Sequence, residues 1–321
     1  MATRYKLIYN PRAGLKRHLI SVAPPVTVDS LKDLTRQYQL DVDFFPTKGP
    51  KHATELARQA ASEGYDAVIV AGGDGTVGEA ANGLVNSSIP LGIIPLGTFM
   101  NICKMLSIPT DIEKALLLIK VGRTRQIDMG RVTCINGTAL DEPYYFIESA
   151  GIGLDAQLQR SVWAWEREEY RLAWQCIKTL LTLYRRPVTI YIEDRKITTR
   201  ASLITIANGP LTGAGMELTP ESKLDDHRLL VSVFSMTNLE FVRHFWSIFR
   251  HMRHRSPGIH SFSARTVRVE GNDPRAVHAD GRLFGKLPAE FSIQSNALHV
   301  IAGFSAEPSK SALTEPEYIE P

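Results

Sequence analysis

"VIVAGGDGTVGEAANGL", residues 68–84, sets three glycines and an aspartate between two apolar stretches. The run that ends at Ala71 reads as a buried strand, and from Thr76 onward Val77, Ala80, Ala81 and Leu84 share one face of a helix. A strand that turns over glycine into a helix leaves backbone N–H groups without partners at the positive end of the helix dipole. Such a turn suits a phosphate. Gly72, Gly73 and Gly75 are needed there for close approach to the backbone, and the turn is expected to require positive φ. The segment has no Lys-Ser/Thr pair of a P-loop and no G-x-G-x-x-G spacing.

A glycine cluster alone is more often simply a turn; Asp74 changes the weighting. An acid in a loop that attracts anions must bind a metal, take a proton or meet a donor hydroxyl, and all three roles belong to phosphoryl transfer. A second glycine loop, "PLGTFMN" at 95–101, again follows an apolar strand and leads into a helix. Adjacent parallel strands place such loops side by side, so both should face one crevice.

Working outward, strands are expected at 6–9, 42–45, 67–70 and 91–95, alternating with helices such as 53–63 and 111–121. That alternation predicts a parallel sheet wrapped by helices. Beyond about residue 125 short β-rich runs dominate, at 144–148, 188–193, 202–207, 229–234, 266–270, 291–293 and 298–301, which predicts a mainly antiparallel second domain. The expected division is an α/β nucleotide-binding domain over 1–128, a β-rich lipid-substrate domain over 129–303, and a mobile tail over 304–321 that is free to return to the first domain.

Composition narrows the function. The 37 Lys and Arg against 34 Asp and Glu leave a charge of +3, which gives no footprint for nucleic acid. Cys103, Cys134 and Cys176 fit neither a zinc site nor a disulfide framework, so a reducing compartment is expected. No secretory signal and no apolar run of membrane-spanning length stands out, pointing to a soluble cytoplasmic protein able to touch a membrane from one side.

"VAGGDGTVGEAANGL", "IPLGTFMNICKMLSIP" and "YNPRAG" together resemble the diacylglycerol kinase catalytic domain, in particular bacterial soluble lipid kinases related to sphingosine and ceramide kinases. "TKGPKHATELA", "QIDMGRV", "FIESAGIGLDA", "GAGMELTPESKLDDHRLLV" and "HADGRLFGKLP" follow in that family's order, so the likeness covers nearly all of residues 5–304. It implies a first domain like that of NAD kinase and phosphofructokinase followed by a β-sandwich. It further implies an ATP- and Mg2+-dependent kinase acting on a hydroxyl of diacylglycerol or a related lipid. A catalytically impaired nucleotide- or lipid-binding relative, or an NAD-kinase-like enzyme of a soluble substrate, are the alternatives.

On the resemblance, Gly72, Gly73, Gly75 and Thr76 match the phosphate loop, and Asn10 the nucleotide contact after the first strand, with Arg12 as a phosphate cation. Thr47 follows the second strand; Gly97, Thr98 and Asn101 line the second loop; Glu79 lies near the nucleotide. Asp226 matches an aspartate that, with backbone carbonyls, holds a structural Mg2+. Asp280 matches the acid of a "DGE" signature near the transferring phosphoryl, and is the first candidate for general base, with Asp74 second. The chain departs from the pattern at Arg282, where that signature has Glu, and at Gly78, Met100 and His227, where the family commonly has Asn, Asn and Gly.

Two aromatic segments remain. The one with Trp163, Trp165, Trp174 and Tyr184 reads as a helix packed on the second domain, with membrane contact as the alternative. The one with Phe241, Phe245, Ile248, Phe249 and Met252 opposite Arg243, Arg250 and Arg253 reads as a lipid-entry element. The expected partner is therefore a lipid at a membrane surface, and a β-edge homodimer stays open.

Overall fold

The computed structural model describes residues 3–13, 26–135, 143–153, 185–213, 215–237, 239–240, 243, 258–273 and 275–303. The aromatic segment with Trp163, Trp165, Trp174 and Tyr184, the lipid-entry residues Phe241, Phe245, Ile248, Phe249 and Met252, the tail at 304–321 and Cys176 lie outside the described residues.

The first lobe alternates as its sequence pattern requires. Its elements are β1 (Arg4–Tyr9), α1 (Val28–Gln37), β2 (Asp41–Pro46), α2 (His52–Ala60), β3 (Ala67–Gly72), α3 (Asp74–Leu84), β4 (Leu91–Pro95), α4 (Asn101–Met105) and α5 (Ile112–Val121). The strands lie parallel in the order β2-β1-β3-β4. Helices cover both faces, so every residue of β3 and β4 is buried. Val68, Val70 and Ile93 pack with α2, α3 and α4 on one face. Ile69, Ala71 and Ile94 pack with α1 and α5 on the other.

The second lobe is built from β5 (Thr124–Cys134), β6 (Tyr144–Phe146), β7 (Ser149–Gly153), β8 (Arg186–Ile192), β9 (Arg195–Ala201) and β10 (Leu203–Ala207). The ribbon β11 (Leu211–Thr212) and β12 (Met216–Glu217) follows, then β13 (Leu229–Phe234), β14 (Ile259–Ala264), β15 (Thr266–Glu270), β16 (Ala276–Ala279), β17 (Arg282–Lys286) and β18 (Ala289–Ile301). A six-stranded antiparallel sheet, β14-β13-β10-β7-β16-β17, packs its apolar face on β5, β8, β15 and β18 around Phe146, Ile190, Ile206 and Phe291. This is a β-sandwich behind an α/β lobe, as expected.

The lobes share a sheet. The runs expected as separate strands at 291–293 and 298–301 are one strand, β18, whose pairing with β5 shifts register between Gln294 and Leu298. That irregularity breaks the alternation that would mark a single strand. The far end of β18 pairs Val300 with Leu91 of β4, so a ten-stranded sheet runs through both lobes, and residue 128 lies within continuous β5.

Candidate active site

Four loops leave the C-terminal edge of β2-β1-β3-β4 side by side. Asn10 follows β1, where its amide donates to Thr76 Oγ1 at 3.3 Å. Its Oδ1 accepts the Arg12 N–H at 2.9 Å. The Arg12 side chain is exposed, and Thr47 is tied by its N–H to Tyr9 O at 2.8 Å. A cavity of about 200 Å3 opens beside Asn10, between that loop and the start of α1.

The two glycine loops touch. A Cβ on Gly97 would stand 2.6 Å from Gly73 Cα and 2.7 Å from Met100 Sδ, so the second loop admits no larger residue at the crossing, and a Cβ on Gly73 would crowd Gly97 Cα at 3.3 Å. The expectation of positive φ is not met: Gly73 has φ −95, and neither Gly72 nor Gly75 is in the left-handed region. These glycines serve close approach instead. Gly75, in the first turn of α3, is exposed and has nothing within 4 Å of where a Cβ would be, so the open helix end presents bare backbone. Thr98 is exposed on the second loop.

Asp74 turns away from that open end. Its Oδ2 accepts the Asn101 N–H at 3.1 Å and its Oδ1 the Ile102 N–H at 3.0 Å, so the first residue of α3 caps the start of α4. Burial pushes its carboxyl up, against the pull of those N–H groups and of the Lys104 ammonium. Asn101 is buried and faces the second lobe; its amide donates to Glu148 Oε2 at 3.0 Å and to Gly213 O at 2.8 Å.

Asp280 comes from the turn after β16 and has φ +41, a left-handed conformation uncommon outside glycine. Three N–H groups converge on its carboxylate: Ile147 at 2.8 Å, Glu148 at 2.9 Å and Ser149 at 3.3 Å. Burial outweighs them and, with the charge of Asp74, raises Asp280 to about 6. The carboxylate lies against α3, since a Cβ on Gly78 would sit 3.7 Å from both Asp280 Oδ2 and the Tyr144 hydroxyl. A side chain at position 78 would therefore stand in contact with both groups.

Glu79 lies further along α3. It is buried and ion-paired with Arg282, so the charge reversal at 282 is answered by α3 itself. Glu148 is a site residue that sequence reasoning missed. Burial, then the charges of Asp280 and Asp74, push it well above the usual carboxylate range. Its signal is a lone acid inside the otherwise apolar and small "FIESAGIG".

The acids do not make a metal centre. Asp74 and Asp280 spend both oxygens on N–H groups, and Glu79 is paired. Asp226 is exposed, and its Oδ1 accepts the Arg228 N–H at 3.1 Å. Among the described residues no three His, Cys, Asp or Glu side chains are arranged to hold an ion. At Asp226, the position the resemblance gives to a structural Mg2+, one carboxylate oxygen is thus already taken by an N–H donor.

Two touching glycine loops, with a buried acid from a sandwich lobe against the loop helix, are the arrangement expected of a two-lobed kinase. Comparison with known proteins agrees. The diacylglycerol kinase catalytic domain matches residues 4–132, and the YegS C-terminal NAD kinase beta sandwich-like domain matches 148–302. A diacylglycerol kinase of Bacillus subtilis is 30% identical over 93% of this chain and 96% of its own length. One of Staphylococcus saprophyticus is 28% identical over 91% and 92%. The crystal structure of a diacylglycerol kinase from Bacillus anthracis, 24% identical, shares the fold with a TM-score of 0.67 over 94% of this chain and 97% of that one. The chain belongs to the diacylglycerol kinase family.

Proposed function

We propose that this protein is an ATP-dependent lipid kinase that moves the γ-phosphoryl of ATP to a hydroxyl of diacylglycerol or a related lipid. The observation that carries this reading is the placement of the Asp280 carboxylate against α3, the helix whose open end begins at the paired glycine loops. The backbone at Gly73 and Gly75 grips the triphosphate, and the acceptor hydroxyl enters from the second lobe. As the acceptor oxygen bonds to the γ-phosphorus, its proton passes to Asp280, the bond from phosphorus to the β–γ bridging oxygen breaks, and ADP leaves. Support for a lipid acceptor comes from the names of the relatives. Access is from the membrane surface; no helix among the described residues is long and apolar enough to cross a membrane.

The test is a panel of lipids incubated with ATP and Mg2+, with products identified by mass spectrometry. A phosphorylated lipid is expected, with NAD left unmodified; ATP turnover onto NAD alone would sink the reading. Gly75→Ala probes the loop separately. Its methyl enters open space in a helix, so the melting temperature should hold or rise, Ala exceeding Gly by about 1 kcal/mol in helix propensity. The dissociation constant for ATP should rise about tenfold or more, equivalent to about 1.4 kcal/mol. Unchanged ATP affinity would remove the phosphate from this loop.

The Arg282–Glu79 ion pair favours a second reading, a relative that binds nucleotide or lipid without turnover. Calorimetric ATP binding without any phosphorylated lipid, and activity appearing in Arg282→Glu, would establish it. On the first reading Arg282→Glu loses activity, because it sets a second carboxylate against buried Glu79.

A further inference from the structure

The junction of the lobes holds a buried carboxylate that the proposed reaction does not use. Asp128, in the middle of β5, is 0% exposed. Its Oδ2 accepts the His227 backbone N–H at 2.7 Å, and its Oδ1 the Asn296 N–H at 2.8 Å. His227 Nδ1 lies 2.9 Å from Oδ1 and 3.1 Å from Oδ2. A carboxylate only accepts, so this ring nitrogen carries the proton and donates it. Asp128 also gives its N–H to Leu224 O at 2.7 Å and takes the Asn208 amide on its O at 3.0 Å.

Three separate elements meet on this one side chain. His227 belongs to the turn that carries Asp226 into β13, Asn296 to the irregular stretch of β18, and Asp128 to the strand paired with it. His227 has φ +60 and Asn296 φ +50, conformations that glycine or asparagine adopt more readily than histidine. The chain thus carries an imidazole at a backbone position suited to glycine, and the ring goes to the buried acid. N–H donors surround Asp128, where a cation would need oxygen ligands.

We infer that the His227 imidazole, bonded to Asp128, fastens the turn at Asp226 to the lobe junction in place of a bound divalent cation, so that this junction is metal-independent. The ring replaces with one side chain what Asp226 would otherwise need an ion to do. The inference rests on the junction alone, and its readouts do not depend on phosphoryl transfer.

Thermal unfolding and metal analysis of the full chain test it. The purified protein should contain no stoichiometric divalent metal by plasma mass spectrometry, and its melting temperature should be the same in EDTA and in excess Mg2+. Asp226→Asn should melt within about 2 °C of the unaltered chain, as exposed substitutions do. His227→Gly relieves the positive φ yet should melt about 5 °C or more lower in EDTA, because a buried carboxylate loses the ring N–H that donates to it. A bound equivalent of metal, a chelator-induced drop in the unaltered chain, or His227→Gly melting no lower would each overturn the inference. Should His227→Gly fail to fold, the metal content and the EDTA comparison on the unaltered chain still decide the matter.

Discussion

Asp280→Asn should lower kcat for lipid phosphorylation by about 10²–10⁴, the range that a positioned general base contributes, while leaving ATP affinity within a few-fold. The asparagine keeps one oxygen, enough for the Glu148 and Ser149 N–H groups that share Oδ1, but loses the acceptor for the Ile147 N–H and cannot take a proton from the acceptor hydroxyl. Alanine is the harsher variant. It leaves all three donors without an acceptor at a buried site, at about 1–3 kcal/mol for each unsatisfied group, so melting temperatures must accompany its kinetics. The unaltered enzyme offers a cleaner observation. Burial raises Asp280 to about 6, and a base works only when ionised. Protonation therefore removes activity as pH falls through 6, and kcat/KM should rise towards a plateau above it. One unit below, about a tenth of the carboxylate is ionised, giving a rate about tenfold under the plateau. An enzyme at full rate down to pH 4.5, or Asp280→Asn with near-normal kcat, would move the base elsewhere.

The parts of this molecule written in contiguous residues are legible in the sequence alone. The strand, glycine turn and helix of 68–84, and β4 at 91–95, follow from apolar runs that local sterics and helix coverage leave little freedom to misread. Legibility ends where a contact joins distant residues. Arg282 reads as a charge reversal at the reaction centre until Glu79, 203 residues away, is found on it. His227 reads as a lost glycine until Asp128, 99 residues back, is found to hold its ring. Lys6 looks like the polar face of β1, yet it is fully buried over the rings of Phe45 and Tyr65 and paired with Glu63. Pattern alone marks a residue as polar; which partner compensates its burial is set by the lobe packing. For the same reason β18 reads as two strands, since the irregular stretch around Asn296 that serves Asp128 is what interrupts its alternation.

Asp74 tests that distinction most directly, because the same carboxylate reads as a base in the sequence and as a cap in the structure. Both of its oxygens hold N–H groups of α4, and the residue just before that helix, Met100, lays its sulfur 3.1 Å from the Gly97 N–H. Removing the carboxylate therefore loosens the second glycine loop where it crosses Gly73. Asp74→Ala should cost about 1–2 kcal/mol from the lost cap, lowering the melting temperature by about 2–8 °C for a chain of this size. Turnover should fall by about 10²-fold, the penalty for reactants displaced by about 1 Å, with weaker ATP binding as part of the loss. Asp74→Asn retains an acceptor oxygen and should recover most of the stability and at least a tenth of the rate. Its kcat/KM should still decline at acid pH, with the limb moved to lower pH because the Asp74 charge that helps raise Asp280 is gone. A base at position 74 would behave in the opposite way: Asp74→Asn would melt normally, lose kcat as completely as alanine, and abolish the acid limb. That second pattern would reassign proton transfer to Asp74 and leave Asp280 as the residue that holds the 147–149 backbone in place.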